Sequence, residues 1–102
     1  SLAMIRTRYY LGLTTRDGKV VDDWQQANAV ELMVHVYGDG CTIYRAAGHW
    51  RGTTEETLIL EVISGGGVDS EFMASRLGTI MLQDTVLWTT ERVEAGFVKV
   101  PR

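Results

Sequence analysis

Cysteine, proline and any surplus of positive charge are almost missing from this chain of 102 residues, and each shortage removes a class of function. The single cysteine, Cys41, cannot close a disulfide within the chain or build a thiolate metal cluster, so a reducing cytoplasm is the expected setting. Ten Lys and Arg against 13 Asp and Glu leave a net charge of −3, which argues against nonspecific binding to nucleic acid or acidic membranes. No window approaches the roughly 18 apolar residues that a membrane span requires. The sequence also lacks a Gly-Lys-Ser/Thr or GxGxxG phosphate loop, any zinc-ligand spacing and any recognisable catalytic signature, so neither metal nor cofactor is expected.

What is present is the composition of one folded domain, 45% hydrophobic and 23% charged, spanning residues 1–102. Residues 1–3 are expected to be flexible, or in part a cloning remnant, and carry no weight in the reading. Ile5 to Thr14 is rich in β-formers and reads as a strand. Asp17-Gly18 supplies turn chemistry, and Asp22 or Asp23, each three residues before a Gln, completes a capping box. The helix that follows runs from Asp23 to Tyr37, with Trp24, Ala27, Val30, Val34 and Tyr37 at helical spacing, and Gly38 ends it. Cys41 to Arg51 and Thr57 to Ile63 form a hairpin across a connection from Gly52 to Glu56. Ser64 to Gly67 is a flexible crossing. Asp69 or Ser70 caps a second helix through Leu82, with Met73, Leu77, Ile80 and Met81 turned to the core. Asp84 to Arg92 is a fourth strand, and Ala95 to Val100 a short fifth one stopped by Pro101.

The order strand, helix, strand, strand, helix, strand defines an α+β ferredoxin-like βαββαβ sandwich, with a four-stranded antiparallel sheet, two helices on one face and the short C-terminal extra strand. With the hairpin turn centred near Thr54, Trp50 falls opposite Leu58 and Gly48 opposite Leu60, so Tyr44, Ala46, Gly48 and Trp50 are expected under the helices. The uncovered face then carries Ile43, Arg45, His49 and Arg51 with Ile59, Glu61 and Ile63. Isoleucines interleaved with charges fit an interface better than open solvent, which predicts a homo-oligomer, a trimer or a dimer.

The stretch Gly40-Cys41-Thr42-Ile43-Tyr44-Arg45-Ala46-Ala47-Gly48-His49-Trp50-Arg51-Gly52 resembles the second strand of PII-like signal proteins, in which one glycine opens the strand and another precedes a functional loop. The resemblance in element order covers nearly the whole chain. It implies a trimer that binds small ligands in clefts between subunits, with Gly48, His49, Trp50 and Arg51 at the cleft. Two family features are absent: the connection after Gly52 is short, and Leu82-Gln83-Asp84-Thr85 stands where the glycine-rich phosphate loop would be.

Arg45, His49 and Arg51 alternate along one strand and so project to one side, where guanidinium groups can bind a carboxylate or phosphate. The competing reading pairs them with Glu55, Glu61 or Glu91. Glu31 and His35 share a helix face but have no third metal ligand nearby. Cys41 has no adjacent base and reads as a structural thiol. An RNA-binding sheet using Tyr9 and Tyr10 lacks its defining motif. The expectation is therefore a small homo-oligomeric binding or interaction module, taking a small anionic ligand at a subunit cleft lined by Arg45, Gly48, His49, Trp50 and Arg51. One alternative is a small dimeric ferredoxin-like enzyme, of monooxygenase or isomerase type, using His35, His49 or Tyr44 as acid-base groups. Another is a phage or host accessory protein that binds a protein partner.

Overall fold

Two capping signals and two tight turns route most of the chain in the computed structural model, which describes residues 2–102. The elements are β1 (Leu2–Gly12), α1 (Asp23–Tyr37), β2 (Thr42–Trp50), β3 (Thr53–Ser64), α2 (Ser70–Met81) and β4 (Leu87–Ala95). The four strands form one antiparallel sheet in the order β2-β3-β1-β4, the ferredoxin-like arrangement expected from the sequence. No helix among the described residues is long and apolar enough to cross a membrane.

Each helix starts where its cap predicts. Asp22 opens α1 in a full capping box: its carboxylate accepts from the Gln25 N–H at 2.8 Å, and the Gln25 side-chain oxygen accepts from the Asp22 N–H at 3.0 Å. Gly38, at φ +101°, closes α1 by donating to the Val34 carbonyl. Asp69 caps α2 by accepting from the Phe72 N–H.

The core lies between the helices and one sheet face. Tyr9 and Leu11 of β1 pair with Leu60 and Leu58 of β3, and all four are buried against Met33 of α1 and Met73, Leu77 and Met81 of α2. Gly78 lets α2 come close to the segment before β4, since a Cβ there would stand 3.1 Å from Val86. The α1 face differs from expectation. Ala29 and Met33 are buried, Tyr37 is half-buried, and Trp24 is 74% exposed. Apolar residues are spread around much of this helix, so spacing alone does not fix its rotation; the hydrogen bond of 2.7 Å between the Tyr37 and Tyr9 hydroxyls helps hold it. Burial raises the Tyr37 hydroxyl pKa, and the bond to Tyr9 adds to the shift.

The strand boundaries also move. β1 begins at Leu2, with Leu2 and Ala3 paired to Ala95 and Glu94, and it ends at Gly12. Residues 96–102 form no fifth strand, and Phe97, Val98 and Val100 stand in solvent.

The largest correction concerns the hairpin. β2 and β3 are joined by Arg51 and Gly52 alone, at φ +50° and +81°, the positive values of a two-residue type I′ turn. Trp50 therefore pairs with Thr53 and Gly48 with Glu55, not with Leu58 and Leu60. That displacement is odd, and an odd slip carries every side chain of a strand to the opposite face. Tyr44, Ala46, Gly48 and Trp50 consequently lie on the uncovered face with Thr57, Ile59 and Glu61, and Trp50 is 71% exposed, not buried.

Candidate functional site

Alternation along four paired strands collects a polar network at the middle of the uncovered face. Arg8 donates to Glu61 at 2.7 Å, the Tyr44 hydroxyl donates to the same carboxylate at 3.1 Å, and Arg6 pairs with Glu91 through an Nε contact of 2.9 Å. Burial pushes the Glu61 carboxyl up, but the hydrogen bonds from Arg8 and Tyr44 and the charges of Arg8 and Arg6 outweigh it, so its pKa falls below the ordinary value. The hydrogen bond to Glu61 likewise raises Arg8, against its own desolvation. Each charge here is matched, which leaves the network a structural strut across β1, β3 and β4.

Toward the hairpin end of the same face the surface sinks into a concavity of about 720 Å³. Trp50 and Gly48 of β2, Tyr10 and Gly12 of β1, Ile59 of β3, and Val86 and Leu87 wall it, and Glu55 and Gln83 stand at its edge over Gly12. Two glycines let the side chains of its wall pack directly on the backbone. A Cβ on Gly48 would lie 2.5 Å from the Thr57 hydroxyl, and one on Gly12 would lie 2.7 Å from Glu55 Oε1 and 2.9 Å from Gln83 Oε1. Glu55 is half-buried, and among the described residues its carboxylate has no ion-pair or hydrogen-bond partner. An apolar, aromatic-walled hollow with one unmatched charge is the usual composition of a small-molecule site.

The residues singled out from the sequence are divided by the register. Gly48 and Trp50 line the concavity from the uncovered face. Arg45 lies on the helix side of β2 and donates to Gln26 of α1 at 2.8 Å, while His49, beside the rim, shares a hydrogen bond of 2.9 Å with Thr54. Arg51 sits in the turn with its guanidinium 5.4 Å from the Trp50 ring centre. Neither Glu61 nor Glu91 pairs with these cations, since Arg8 and Arg6 hold them. His35 is exposed on α1, and no group of three or more His, Cys, Asp or Glu residues placed for a metal occurs among the described residues. Burial raises the Cys41 thiol pKa, which disfavours the nucleophilic thiolate.

Tyr10, Glu55 and Gln83 were not legible as site residues. The signal that finds Glu55 is the Arg51-Gly52 pair: a two-residue turn places Glu55 opposite Gly48 and on its face.

No protein-family model matches the chain, and no curated protein matches it in sequence. Among solved structures it is similar to a phage SAM lyase in complex with S-methyl-5′-thioadenosine, with a TM-score of 0.63 and 13% identity over 94% of this chain and 93% of that one. At that identity the likeness is one of fold.

Proposed function

We propose that this protein is a small-ligand-binding domain whose uncovered sheet face takes a sulfonium or thioether nucleoside of the S-adenosylmethionine class in the Trp50–Glu55 concavity. The observation that carries this reading is the unmatched Glu55 carboxylate beside an apolar hollow bordered by Trp50 and Tyr10. A purine stacks on exposed aromatic rings, and a sulfonium is attracted both to ring faces and to a carboxylate. That a protein sharing this fold over 94% of the chain binds a 5′-thioadenosine supports the choice of ligand class. Exposed Trp50, Leu87 and Ile63 on the same face, together with Phe97, support a homo-oligomer in which a second copy narrows the open side of the hollow.

Glu55 also favours a second reading, in which the ligand is cleaved. With a carboxylate beside the aliphatic arm of S-adenosylmethionine, a proton leaves the carbon next to the one bearing sulfur and passes to Glu55. The freed electron pair forms a carbon–carbon double bond, and the carbon–sulfur pair goes to sulfur, which departs as neutral S-methyl-5′-thioadenosine. This needs no metal or oxidant.

Calorimetric titration with S-adenosylmethionine and S-methyl-5′-thioadenosine tests the first reading, and chromatography of the same mixtures tests the second. Trp50→Ala is expected to abolish binding while changing stability by only about 0.5 kcal/mol, as for other exposed side chains. Absence of heat with either nucleoside at millimolar concentration refutes the ligand class.

A further inference from the structure

We infer that Glu55 and Gln83 act together as a receptor for a protonated primary amine on the ligand, so that the site distinguishes nucleosides bearing an aliphatic ammonium from those without one. This rests on the proposed nucleoside-binding reading. It starts from the orientation of one amide. The Gln83 Nε2 group donates to the Thr14 carbonyl at 2.9 Å and to the Met81 carbonyl at 3.1 Å, which uses both of its hydrogens. With the amide held at both donors, its Oε1 cannot exchange places with its nitrogen, and that oxygen borders the space over Gly12.

Glu55 Oε1 borders the same space. The point one bond above the Gly12 Cα lies 2.7 Å from Glu55 Oε1 and 2.9 Å from Gln83 Oε1, so the two oxygens converge closely enough for one compact donor entering from the hollow to reach both. Neither oxygen has a hydrogen-bond donor among the described residues. Two acceptors facing one volume repel each other and are costly to desolvate until a donor enters between them. The donor that fits is compact, positively charged and rich in N–H groups. An ammonium provides three N–H donors, whereas a sulfonium provides none and a planar guanidinium needs a wider, two-pronged acceptor.

Two nucleosides isolate this contact. 5′-S-(3-aminopropyl)-5′-thioadenosine carries the amine on a neutral thioether and no carboxylate; 5′-S-propyl-5′-thioadenosine carries the same thioether and arm without the amine. The wild-type protein is expected to bind the aminopropyl nucleoside at least about tenfold more tightly, because a hydrogen bond to a charged group contributes more than one decade in affinity. Gln83→Met is expected to remove most of that advantage and leave the propyl nucleoside within about twofold of its wild-type affinity. Glu55→Gln, which removes the charge and leaves the Gln83 amide bonds in place, is expected to do the same. Equal wild-type affinities would overturn the amine receptor while leaving nucleoside binding intact, and so would a Gln83→Met variant that weakens both ligands equally, which marks a purely structural glutamine. Failure of both nucleosides to bind the wild type would defeat the nucleoside reading and the inference with it.

Discussion

Gly48→Ala, made alone and in a Thr57→Ala background, tests the β2 register on which the whole site depends. Gly48 pairs with Glu55 and Ala46 with Thr57, so Gly48 and Thr57 are diagonal neighbours on the uncovered face. A Cβ on Gly48 would stand 2.5 Å from the Thr57 hydroxyl oxygen, well inside contact distance. Relief requires Thr57 to leave its rotamer or the strands to part, and such overpacking costs about 1–3 kcal/mol. Against this, alanine in an extended strand is favoured over glycine by about 0.5–1 kcal/mol through backbone entropy. The single variant should therefore lose up to about 2.5 kcal/mol, the difference between the two effects.

With Thr57→Ala in place the obstructing hydroxyl is gone and only the entropic gain remains. Gly48→Ala should then stabilise by about 0.5–1 kcal/mol, so the effect changes sign between backgrounds and the coupling is about 1–3 kcal/mol. Urea denaturation of the four proteins, followed by circular dichroism, measures each corner of the cycle. An equal cost for Gly48→Ala in both backgrounds would refute the register, since Gly48 would then face the helices, where Thr57 cannot reach it.

Two further outcomes follow from the same face. Arg51→Asn should stabilise the protein by up to about 1 kcal/mol in urea melts, because asparagine accepts the left-handed φ of +50° that arginine adopts at a cost, and the exposed contact of Arg51 with Trp50 returns only part of that cost; a clear loss of stability would show the turn to be of another type. Glu61, whose pKa is lowered in the folded state, contributes stability that is present above its unfolded value near 4.5 and is lost as pH falls through the depressed folded value, so Glu61→Gln should flatten the stability profile in that acid window, and an unchanged slope would deny the Arg8–Glu61–Tyr44 network its role.

The fold was readable because its signals are local and agree with one another. Asp22 and Asp69 open helices where their caps predict, Gly38 closes one of them, and the Met73, Leu77, Met81 spacing sets the buried stripe of α2. The inner side of β3 was equally plain, since Leu58 and Leu60 alternate with Glu61 and sit between two partner strands. β2 offers no such contrast. It is an edge strand, only Tyr44 and Gly48 along it are even half-buried, and both of its faces mix apolar with polar residues. Its orientation is therefore set by the turn and not by hydrophobic burial, and the turn carries arginine where asparagine would have announced it. From that one position the errors about the site follow: with the hairpin taken as longer, the arginines and His49 gather on the open face as an anion site; with two residues, Trp50 and Gly48 come there instead. The Glu55–Gln83 pair is a step more remote still, because it joins residues from a hairpin, a strand end and the segment after a helix, and only the completed sheet brings them together over Gly12.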